Sequence, residues 1–503
     1  MKTIGDVSGF TRIEHEERLS HSQLFDLQRA FYQREGASAW ASGTVPHYIT
    51  CNPSIAASYA EVVLAFARDC RAAGQLPRDS RINVIELGSG SGRFGFLFLT
   101  RARDLFARSS LADVDVTLTL TDFDDTKFAD WRQHPSLQPF FDDGSLDLAV
   151  LDGAAPSFTV EGPRVLIANY VLDSLPQDAY AIRQGEVHEL LVSLDEPTGA
   201  QGLPHLNVSW TPSPTPIANP SPLLEEYAAT LDDTAILVPT AAIALLQAFA
   251  ATDDAPALAI TADKGTTRTS ELCAAGEPQL VLHGECFSLM VNFDAIRREV
   301  ERHGGTAFHP PHRHSSIAVT AYSLTDVPTA ETASAFDRHV VERGPDDAFT
   351  IRAALSTHVG TLTLRQLVAY LHATLDDPAV FQECFSRLLD LAGEANDDEK
   401  CDLRPLVDAV WRQHFPIGES SDLALCLGLL LSAIGDQRQA IGYFGHSRLQ
   451  HGPTANTFFA EAVAHYALRD LDAALKCAQE ALGIEPAFSG ARRLKATIEE
   501  QLA

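Results

Sequence analysis

The residues whose types and spacing best suit chemistry form a glycine-rich loop at positions 86–93, with the sequence ELGSGSGR. A short apolar run precedes the loop, and a segment with helical periodicity follows it. Glycine lets the backbone approach a ligand closely, and the N–H groups and dipole at the start of a helix attract a polar ligand tail. The loop alone therefore predicts a nucleotide-like ligand, with a dinucleotide among the ligands compatible with it.

Acidic residues around the loop narrow this prediction. The spacing is E-x-G-x-G-x-G rather than G-x-G-x-x-G, and Glu86 ends the strand before the loop. The next predicted strand ends at Asp122, with Phe123 beside it, and the third ends at Asp152. With the loop and the acids in this order, the sequence resembles the class I S-adenosylmethionine-dependent methyltransferase superfamily.

The resemblance implies S-adenosylmethionine as the cofactor and a role for each of these residues. Glu86 would hold the cofactor's ammonium group, directly or through water, and Asp122 would bind the two ribose hydroxyls. Phe123 would lie against adenine, and Asp152 would accept a hydrogen bond from the adenine amino group. The loop residues against the cofactor would be Gly88, Ser89, Gly90 and Gly92. A nicotinamide site and a degenerate fold are the alternatives, and each acid taken singly would indicate only a solvated strand end.

The fourth predicted strand carries a closer resemblance. The segment IANYVLDSLPQDAYAIRQGEVHE resembles the MidA-type methyltransferases, a family that includes a mitochondrial complex I assembly factor that methylates a protein arginine. Tyr170 departs from the family's glutamate, and Lys264 departs from the tyrosine of its D-Y-G motif, so the substrate does not carry over directly. The matching positions are Ala168, Asn169, Leu172, Asp173, Leu175 and Pro176.

Three residues at the C-terminal edge of this strand are the candidates for catalysis. Methyl transfer is an in-line attack for which the enzyme mainly supplies positioning, and a base only where the nucleophile must lose a proton. We expect Asn169 and Asp173 to hold the nucleophile, with Asp173 pairing with a guanidinium or amine and taking its proton. An equally good interpretation is that Asp173 caps the following helix. Tyr170 is expected to line the acceptor pocket or simply to pack.

The elements that must position these residues follow an alternating pattern of strands and helices from residue 81. Short apolar runs separated by helices indicate a parallel sheet covered on both faces. The predicted strands are INVIEL, DVTLTLTDF, LDLAVLD, RVLIANYVLD, ALAITADKG, FSLMVNF and IAVTAYSL. They predict a doubly wound, Rossmann-like α/β methyltransferase domain over residues 53–324, preceded by a helical lead over residues 1–52. An insertion at 185–222 is predicted to form a hairpin arm and a proline-rich loop.

Beyond residue 324 the pattern becomes helical. Residues 325–345 are predicted to be a linker, and residues 346–503 an all-α domain. Within it, Gly435-Asp436 and Arg469-Asp470 stand 34 residues apart, and neighbouring small residues keep the same offset. This pattern resembles tetratricopeptide repeats over residues 421–488, which implies a surface that binds a partner. An ordinary helical bundle is the alternative.

Composition and charge limit the classes of partner. The 503 residues carry a formal net charge of −29, which disfavours nucleic acid and anionic membranes as partners. No apolar run approaches the roughly 20 residues of a spanning helix, and the first residues lack an export signal, so a cytoplasmic protein is expected.

The eight cysteines form no CxxC pair. No metal site is predicted, and the histidines at 303–314 are expected to lie in a loop. The sequence leaves the oligomeric state open, with a homodimer as one arrangement.

Two classes of function follow from these features. The first is a protein methyltransferase whose helical repeats recruit the substrate. The second comprises a methyltransferase of a metabolite or natural product, and a non-catalytic scaffold or assembly factor that binds the cofactor.

Overall fold

The computed structural model describes residues 10–36, 48–199, 202–311 and 316–502. The chain forms two compact units, Met1–Phe349 and Thr350–Ala503. The first unit combines sheets and helices, and the second is helical throughout its described residues. The predicted fold class, a Rossmann-like α/β domain followed by an all-α region, is therefore confirmed.

The strands all lie in the first unit. In chain order they are β1 (Phe10–Glu17), β2 (Ser80–Leu87), β3 (Val114–Asp122), β4 (Leu146–Val150), β5 (Arg164–Asn169), β6 (Asp178–Arg183), β7 (Glu186–Pro197), β8 (Asn207–Pro212), β9 (Thr234–Val238), β10 (Ala257–Asp263), β11 (Gly265–Thr266), β12 (Val281–His283), β13 (Cys286–Ser288), β14 (Val291–Asn292), β15 (Thr306–Phe308) and β16 (Ala318–Ser323).

The α-helices are numbered in the same way. They are α1 (Gln23–Glu35), α2 (Pro53–Ala72), α3 (Arg93–Ala107), α4 (Phe128–Gln133), α5 (Gln138–Asp142), α6 (Pro222–Thr230), α7 (Thr240–Ala250), α8 (Phe293–Arg302), α9 (Ala330–Phe336), α10 (Pro345–Ser356), α11 (Leu364–Ala373), α12 (Pro378–Ala392), α13 (Asp397–Arg412), α14 (Leu423–Ala433), α15 (Gln437–His451), α16 (Ala455–Ala467), α17 (Leu471–Ile484) and α18 (Ser489–Leu502). Among the described residues, no helix is long and apolar enough to cross a membrane.

The central sheet has seven strands in the order β15-β16-β10-β5-β2-β3-β4. The five strands from β10 to β4 are parallel, while β16 and β15 run antiparallel to their neighbours. The chain order reverses at β2, which lies between β5 and β3. Ligands of open α/β sheets bind at such a switch point, outside the carboxyl ends of the strands. The sheet therefore brings the ends of β2, β3, β4 and β5 to one edge.

A second, antiparallel sheet has the order β1-β7-β6-β9. Its fifth strand, β8, lies outside this order and pairs with β7. The predicted hairpin is present as β7 and β8, in which Leu194 lies opposite Val208. The sheet extends beyond the predicted 185–222 insertion, because β6 and β9 flank it. It also includes β1 from the N-terminal segment, which contradicts a purely helical lead. The β1 sequence FTRIEHEE is almost wholly exposed and carries no apolar alternation that would have revealed a strand.

Two further predictions need correction. The FSLMVNF segment forms β13 and β14, which pair with β12 and β11 instead of joining the central sheet. The predicted linker at 325–345 contains helix α9, whose first turn is bound to α2. The Asp69 carboxylate accepts hydrogen bonds from the backbone N–H of Thr332 at 2.8 Å and from its hydroxyl at 2.7 Å. This cap comes from a residue more than 250 positions away, so no local pattern could have indicated it.

The second unit contains the predicted repeat. Helices α14 and α15 form one pair, and α16 and α17 form the next, 34 residues later in their second helices. A Cβ atom on Gly428 would lie 2.5 Å from the ring of Phe444, so glycine at this position allows α14 and α15 to pack closely. Ala440 and Ala474, at corresponding positions of α15 and α17, are fully buried. The small residues therefore have the packing role expected of them.

Candidate functional site

The glycine loop between β2 and α3 requires glycine at three positions. Gly88, Gly90 and Gly92 have φ angles of +63°, +55° and +79°, a region that other residues adopt only with strain. At Gly88, a Cβ atom would also lie 2.8 Å from the Val171 side chain. Ser89 binds the loop to the sheet, because its hydroxyl donates to the Glu86 carbonyl and accepts from the Thr121 N–H at 3.0 Å. The loop is therefore held in one conformation.

A cavity of about 440 Å³ lies against this loop at the carboxyl ends of the parallel strands. Its volume is within the range usual for small-molecule sites. The predicted residues that line it are Glu86, Gly88, Ser89, Gly90, Asp122, Phe123, Asp152, Asn169 and Tyr170. Gly92 and Asp173 are outside this lining. Gly92 caps the start of α3, and Asp173 lines a neighbouring chamber.

Glu86 is a buried acid at the floor of the cavity. Its Oε2 atom has no hydrogen-bond partner among the described residues. It lies 2.7 Å from the point where Gly95 would carry a Cβ atom, so α3 can pack here only with a glycine. Burial raises the pKa of Glu86 to about 8. An unpartnered buried carboxyl oxygen is costly, and a cationic ligand group or a bound water would satisfy it.

Asp122 is paired before any ligand arrives. Its Oδ2 accepts a hydrogen bond from Lys127 Nζ at 2.7 Å, and its Oδ1 accepts one from the Phe123 N–H at 2.9 Å. Both charged groups of the ion pair are buried. Burial raises the pKa of Asp122, while Lys127 opposes the shift. Lys127 belongs to no sequence motif, so only the structure shows that it pairs with Asp122.

Asp152 is covered by the N-terminal helix α1. Arg29 donates to Asp152 Oδ2 at 2.6 Å, and its guanidinium carbon lies 4.6 Å from the centre of the Phe123 ring. The residues predicted to hold adenine therefore already contact an arginine of α1. Asp152 also accepts from the Ala154 N–H at 3.0 Å, which fixes its side chain at the end of β4.

Helix α1 contributes further lining residues that sequence analysis missed. Gln28 is 3% exposed and lines the cavity, yet neither of its amide atoms has a hydrogen-bond partner among the described residues. Tyr32, one turn later, lines both the cavity and the neighbouring chamber. Because α1 has ordinary amphipathic periodicity, no spacing in the sequence distinguishes these residues from core residues.

The two candidates at the end of β5 have different surroundings. Asn169 accepts a hydrogen bond from the Tyr59 hydroxyl at 2.9 Å and donates to the Thr50 carbonyl at 3.4 Å, so its amide joins β5 to α2. Tyr170 has a φ angle of +52°, which strains a non-glycine residue. Its side chain lines both the cavity and the chamber. Burial is the main cause of the raised pKa of Tyr170.

Asp173 lies in the chamber beside a second buried acid, Asp263. The chamber has a volume of about 40 Å³. Burial raises the pKa of Asp173 to about 6 and that of Asp263 well above its usual range, and repulsion from Asp173 contributes to the second shift. The larger upward shift favours a proton on Asp263 rather than on Asp173. Asp263 also accepts from the N–H groups of Val171 and Leu172 at 3.3 and 2.9 Å. The capping role considered for Asp173 thus falls to Asp263.

The remaining lining residues of the chamber are polar or aromatic. They are Tyr32, Tyr170, Ser174, Lys264, His283, Cys286, Phe287 and Ser288. Lys264, which departs from the family motif, is close enough to lower the pKa of Asp173. Burial and Lys264 both lower the pKa of His283, which keeps that ring neutral.

The histidines at 303–314 are only partly described. His303 ends α8, with Nδ1 2.7 Å from the Glu299 carbonyl, and His309 is half-buried. Neither belongs to a group of three metal-type ligands among the described residues. His312 and His314 lie outside the described residues.

Two protein-family models match segments of the chain. Residues 64–275 match the family described as S-adenosyl-L-methionine-dependent methyltransferase. Residues 457–503 match the family described as Fis1 C-terminal tetratricopeptide repeat. A search of the curated proteins gave no match.

Two crystal structures of one superfamily from Burkholderia thailandensis are similar to the chain. The first, bound to S-adenosyl-homocysteine, is 16% identical with a TM-score of 0.40, and the alignment covers 65% of this chain and 96% of that one. The second, a native structure of an uncharacterized protein, has the same identity and TM-score and covers 64% and 96%.

The family match confirms the predicted cofactor, S-adenosylmethionine, and the cavity suits it. The unpartnered Glu86 oxygen suits an ammonium group, and the Phe123 ring offers a flat surface for adenine. Gly88 and Gly90, which line the cavity with positive φ angles, bring the loop backbone next to the ligand space. Residues 64–275 thus match a family of S-adenosylmethionine-dependent methyltransferases, and residues 457–503 match a tetratricopeptide repeat.

Proposed function

We propose that this methyltransferase acts on a nitrogen-bearing protein side chain, with the C-terminal repeats recruiting the substrate protein. The observation that carries the proposal is the narrow chamber beside the cofactor cavity, with its shared carboxyl pair. Its volume of about 40 Å³ is far below the roughly 300–1,000 Å³ that is usual for small-molecule sites. The tip of an extended side chain suits such a space better than a whole metabolite does.

When bound, S-adenosylmethionine supplies an electrophilic methyl group. The chain's own residues then position the cofactor and the acceptor. Glu86 would pair with the ammonium group, and Asp122, oriented by Lys127, would accept hydrogen bonds from the ribose hydroxyls. Phe123 and Asp152, which contact Arg29, would hold adenine.

Tyr170 is the residue that joins the two spaces. It lines both the cofactor cavity and the chamber, and its strained backbone holds the side chain between them. Strain of this kind persists where the surrounding structure enforces it and often marks a functional position. Tyr170 therefore positions the acceptor. Asn169, whose amide is taken up by Tyr59 and Thr50, supports the wall of the cavity from beneath.

Asp173 and Asp263 are suited to receive the proton that the acceptor nitrogen gives up. Near neutral pH the pair carries one proton and one negative charge, because two adjacent buried carboxylates repel each other. Asp173, with a pKa of about 6, is mostly ionised at pH 7 and faces the chamber. An acid whose pKa lies near the operating pH is an effective general base.

The proposal is tested by incubating the full chain with a cell extract and S-adenosylmethionine carrying a labelled methyl group. We expect the label in the protein fraction, released by hydrolysis as a methylated amino acid. The Asp173→Asn variant should transfer little. Label confined to the small-molecule fraction would overturn the proposed acceptor class.

A non-catalytic scaffold is the second candidate, and one observation favours it. Lys127 and Arg29 already pair with the two acids expected to hold the cofactor's ribose and adenine. A chain that binds the cofactor but transfers no methyl group, to extract proteins or to small molecules, would support this candidate.

A further inference from the structure

Three metal-type ligands meet between two helices of the second unit. Glu461 and His465 lie on α16, and Cys477 lies on α17. Each offers one ligand atom, and the three atoms lie within 4.8 Å of one another. Residues i and i+4 of a helix share one face, so Glu461 and His465 present their side chains together. The cluster has no CxxC or HxxxH spacing, so no sequence motif indicates it.

The preceding repeat shows what usually occupies these positions. Subtracting the 34-residue offset from Glu461, His465 and Cys477 gives Leu427, Leu431 and Tyr443. All three are buried in the core of the second unit. The second repeat therefore replaces three core residues with an acid, an imidazole and a thiol. Burying polar groups is unfavourable unless they are satisfied, so a common partner would account for all three replacements together.

The surroundings of the cluster match those of metal ligands. Arg448 donates to Glu461 Oε2, which leaves Oε1 for another partner. His465 Nδ1 is buried without a hydrogen-bond partner among the described residues, although Asp470 Oδ2 lies 3.5 Å from it. A ligating carboxylate is commonly hydrogen-bonded to a neighbouring group, as Glu461 is to Arg448.

We propose that Glu461, His465 and Cys477 bind a zinc ion that joins α16 to α17. Sulfur, imidazole and carboxylate together suit Zn²⁺ better than the all-oxygen sites of Mg²⁺ or Ca²⁺. Three protein ligands leave the fourth tetrahedral position to water. The positive charge of Arg448 is balanced by Glu461, and the ion adds a bond to the thiolate of Cys477. The site would stabilise the second repeat in place of the lost apolar contacts.

Metal binding must displace one proton from Cys477. A thiol with its ordinary pKa of about 8.5 is mostly protonated at neutral pH. The metal–sulfur bond forms as the S–H bond breaks, and the proton passes to solvent. Each ion bound therefore releases about one proton from the thiol.

The test is titration of the metal-free full chain with Co²⁺, a spectroscopic substitute for Zn²⁺, followed by Zn²⁺ competition. We expect one ion per chain, a thiolate-to-cobalt absorption band, and loss of that band when Zn²⁺ is added. The band should be absent in Cys477→Ser and retained in Cys401→Ser, which changes an exposed cysteine of the same unit.

A second variant separates loss of the site from loss of the fold. His465→Leu restores the residue of the preceding repeat, so it should fold, as helical circular dichroism would show, and bind at least tenfold more weakly. Alkylation gives an independent measure, because bound Zn²⁺ should protect Cys477 in the unmodified chain and not in His465→Leu. An unmodified chain without a thiolate band, or a Cys477→Ser variant that keeps the band, would overturn the proposal.

Discussion

Arg29 of the N-terminal helix donates a hydrogen bond of 2.6 Å to Asp152 at the end of the third parallel strand. The contact joins two parts of the chain 123 positions apart and places a guanidinium over the surface expected to hold adenine. Helix α1 is thus a wall of the cofactor cavity. The ligand must share or displace this contact.

The Arg29→Ala variant should release the cofactor about tenfold faster than the unmodified chain. A part-exposed ion pair contributes about 0–1 kcal/mol, and a cation–π contact contributes about 0.5–1 kcal/mol at such a site. Their loss loosens α1 over the cavity. Stopped-flow displacement of a fluorescent S-adenosyl-homocysteine analogue measures the rate. Arg34→Ala, on the same helix and outside the cavity lining, should leave the rate unchanged. Equal rates for Arg29→Ala and the unmodified chain would show that α1 does not retain the ligand.

The Gln28→Leu variant should be more stable than the unmodified chain. It should bind S-adenosyl-homocysteine and the methyl acceptor less tightly. Leaving a buried amide without partners costs about 1–3 kcal/mol, and leucine removes that cost at similar volume. Urea denaturation measures the gain, and calorimetry with S-adenosyl-homocysteine and the methyl acceptor measures the loss. Gln23→Leu, at an exposed position of the same helix, is the control. A stabilised variant with unchanged affinity for both ligands would place Gln28 outside the functional site.

Glu86 should make both stability and cofactor affinity depend on pH. Its pKa is raised from 4.5 to about 8, so the folded state binds the proton more tightly than the unfolded state. This contribution to stability is full below pH 4.5 and is lost as pH rises towards 8, by at most about 1.4 kcal/mol per pH unit. Cofactor affinity should change in the opposite direction, because an ammonium group prefers the ionised acid.

The Glu86→Gln variant is the measurement for this prediction. Its free energy of unfolding, relative to that of the unmodified chain, should rise as the pH increases from 4.5 to 8. Its affinity for S-adenosyl-homocysteine should be lower and lack the rise with pH. Glu161→Gln, which changes an exposed acid, should behave like the unmodified chain in both measurements. Parallel pH profiles for Glu86→Gln and the unmodified chain would contradict the assignment.

Asp173 should be the more important of the two shared carboxyl groups for methyl transfer. Removing a general base typically costs about 100-fold or more, so Asp173→Asn should lower kcat by that amount at unchanged cofactor affinity. Asp263→Asn keeps a hydrogen-bond donor beside Asp173 and should cost less than about tenfold. Since Asp173 has a pKa of about 6, the rate should rise through that pH and then level off. Asp147→Asn, at an exposed position of β4, is the control. A larger loss of kcat in Asp263→Asn than in Asp173→Asn would show that Asp173 is not the general base.

The lining of the cavity was largely predictable because its signal is local. The glycine loop and the acids Asp122 and Asp152 each stand at the end of one strand, and parallel strands bring such ends to one edge. Local sequence also explains the start of α2, because an asparagine before a proline is typical of a helix cap. The Asn52 side chain accepts hydrogen bonds from the Ser54 and Ile55 N–H groups.

The remaining parts of the site depend on contacts between distant segments. Gln28 and Arg29 lie on an amphipathic helix whose periodicity is explained by packing alone, and Lys127 belongs to no spacing pattern. Residues 10–17 form strand β1 because they pair with β7. Their polar sequence has no alternation of apolar residues that would predict a strand. No local pattern pairs Asp263 with Asp173, because Asp173 lies 90 residues earlier in the sequence.

S-adenosylmethionine should bind against the loop at Gly90. Isothermal titration calorimetry of the full chain with S-adenosylmethionine, compared with a Gly90→Arg variant, tests it most directly. At a φ angle of +55°, arginine strains the loop and fills the ligand's space. Gly185→Arg, at a φ angle of +78° with open space around it, controls for backbone strain alone. We predict one binding site in the unmodified chain and in Gly185→Arg, and none in Gly90→Arg. Absence of binding by the unmodified chain, or equal binding by Gly90→Arg, would contradict the account.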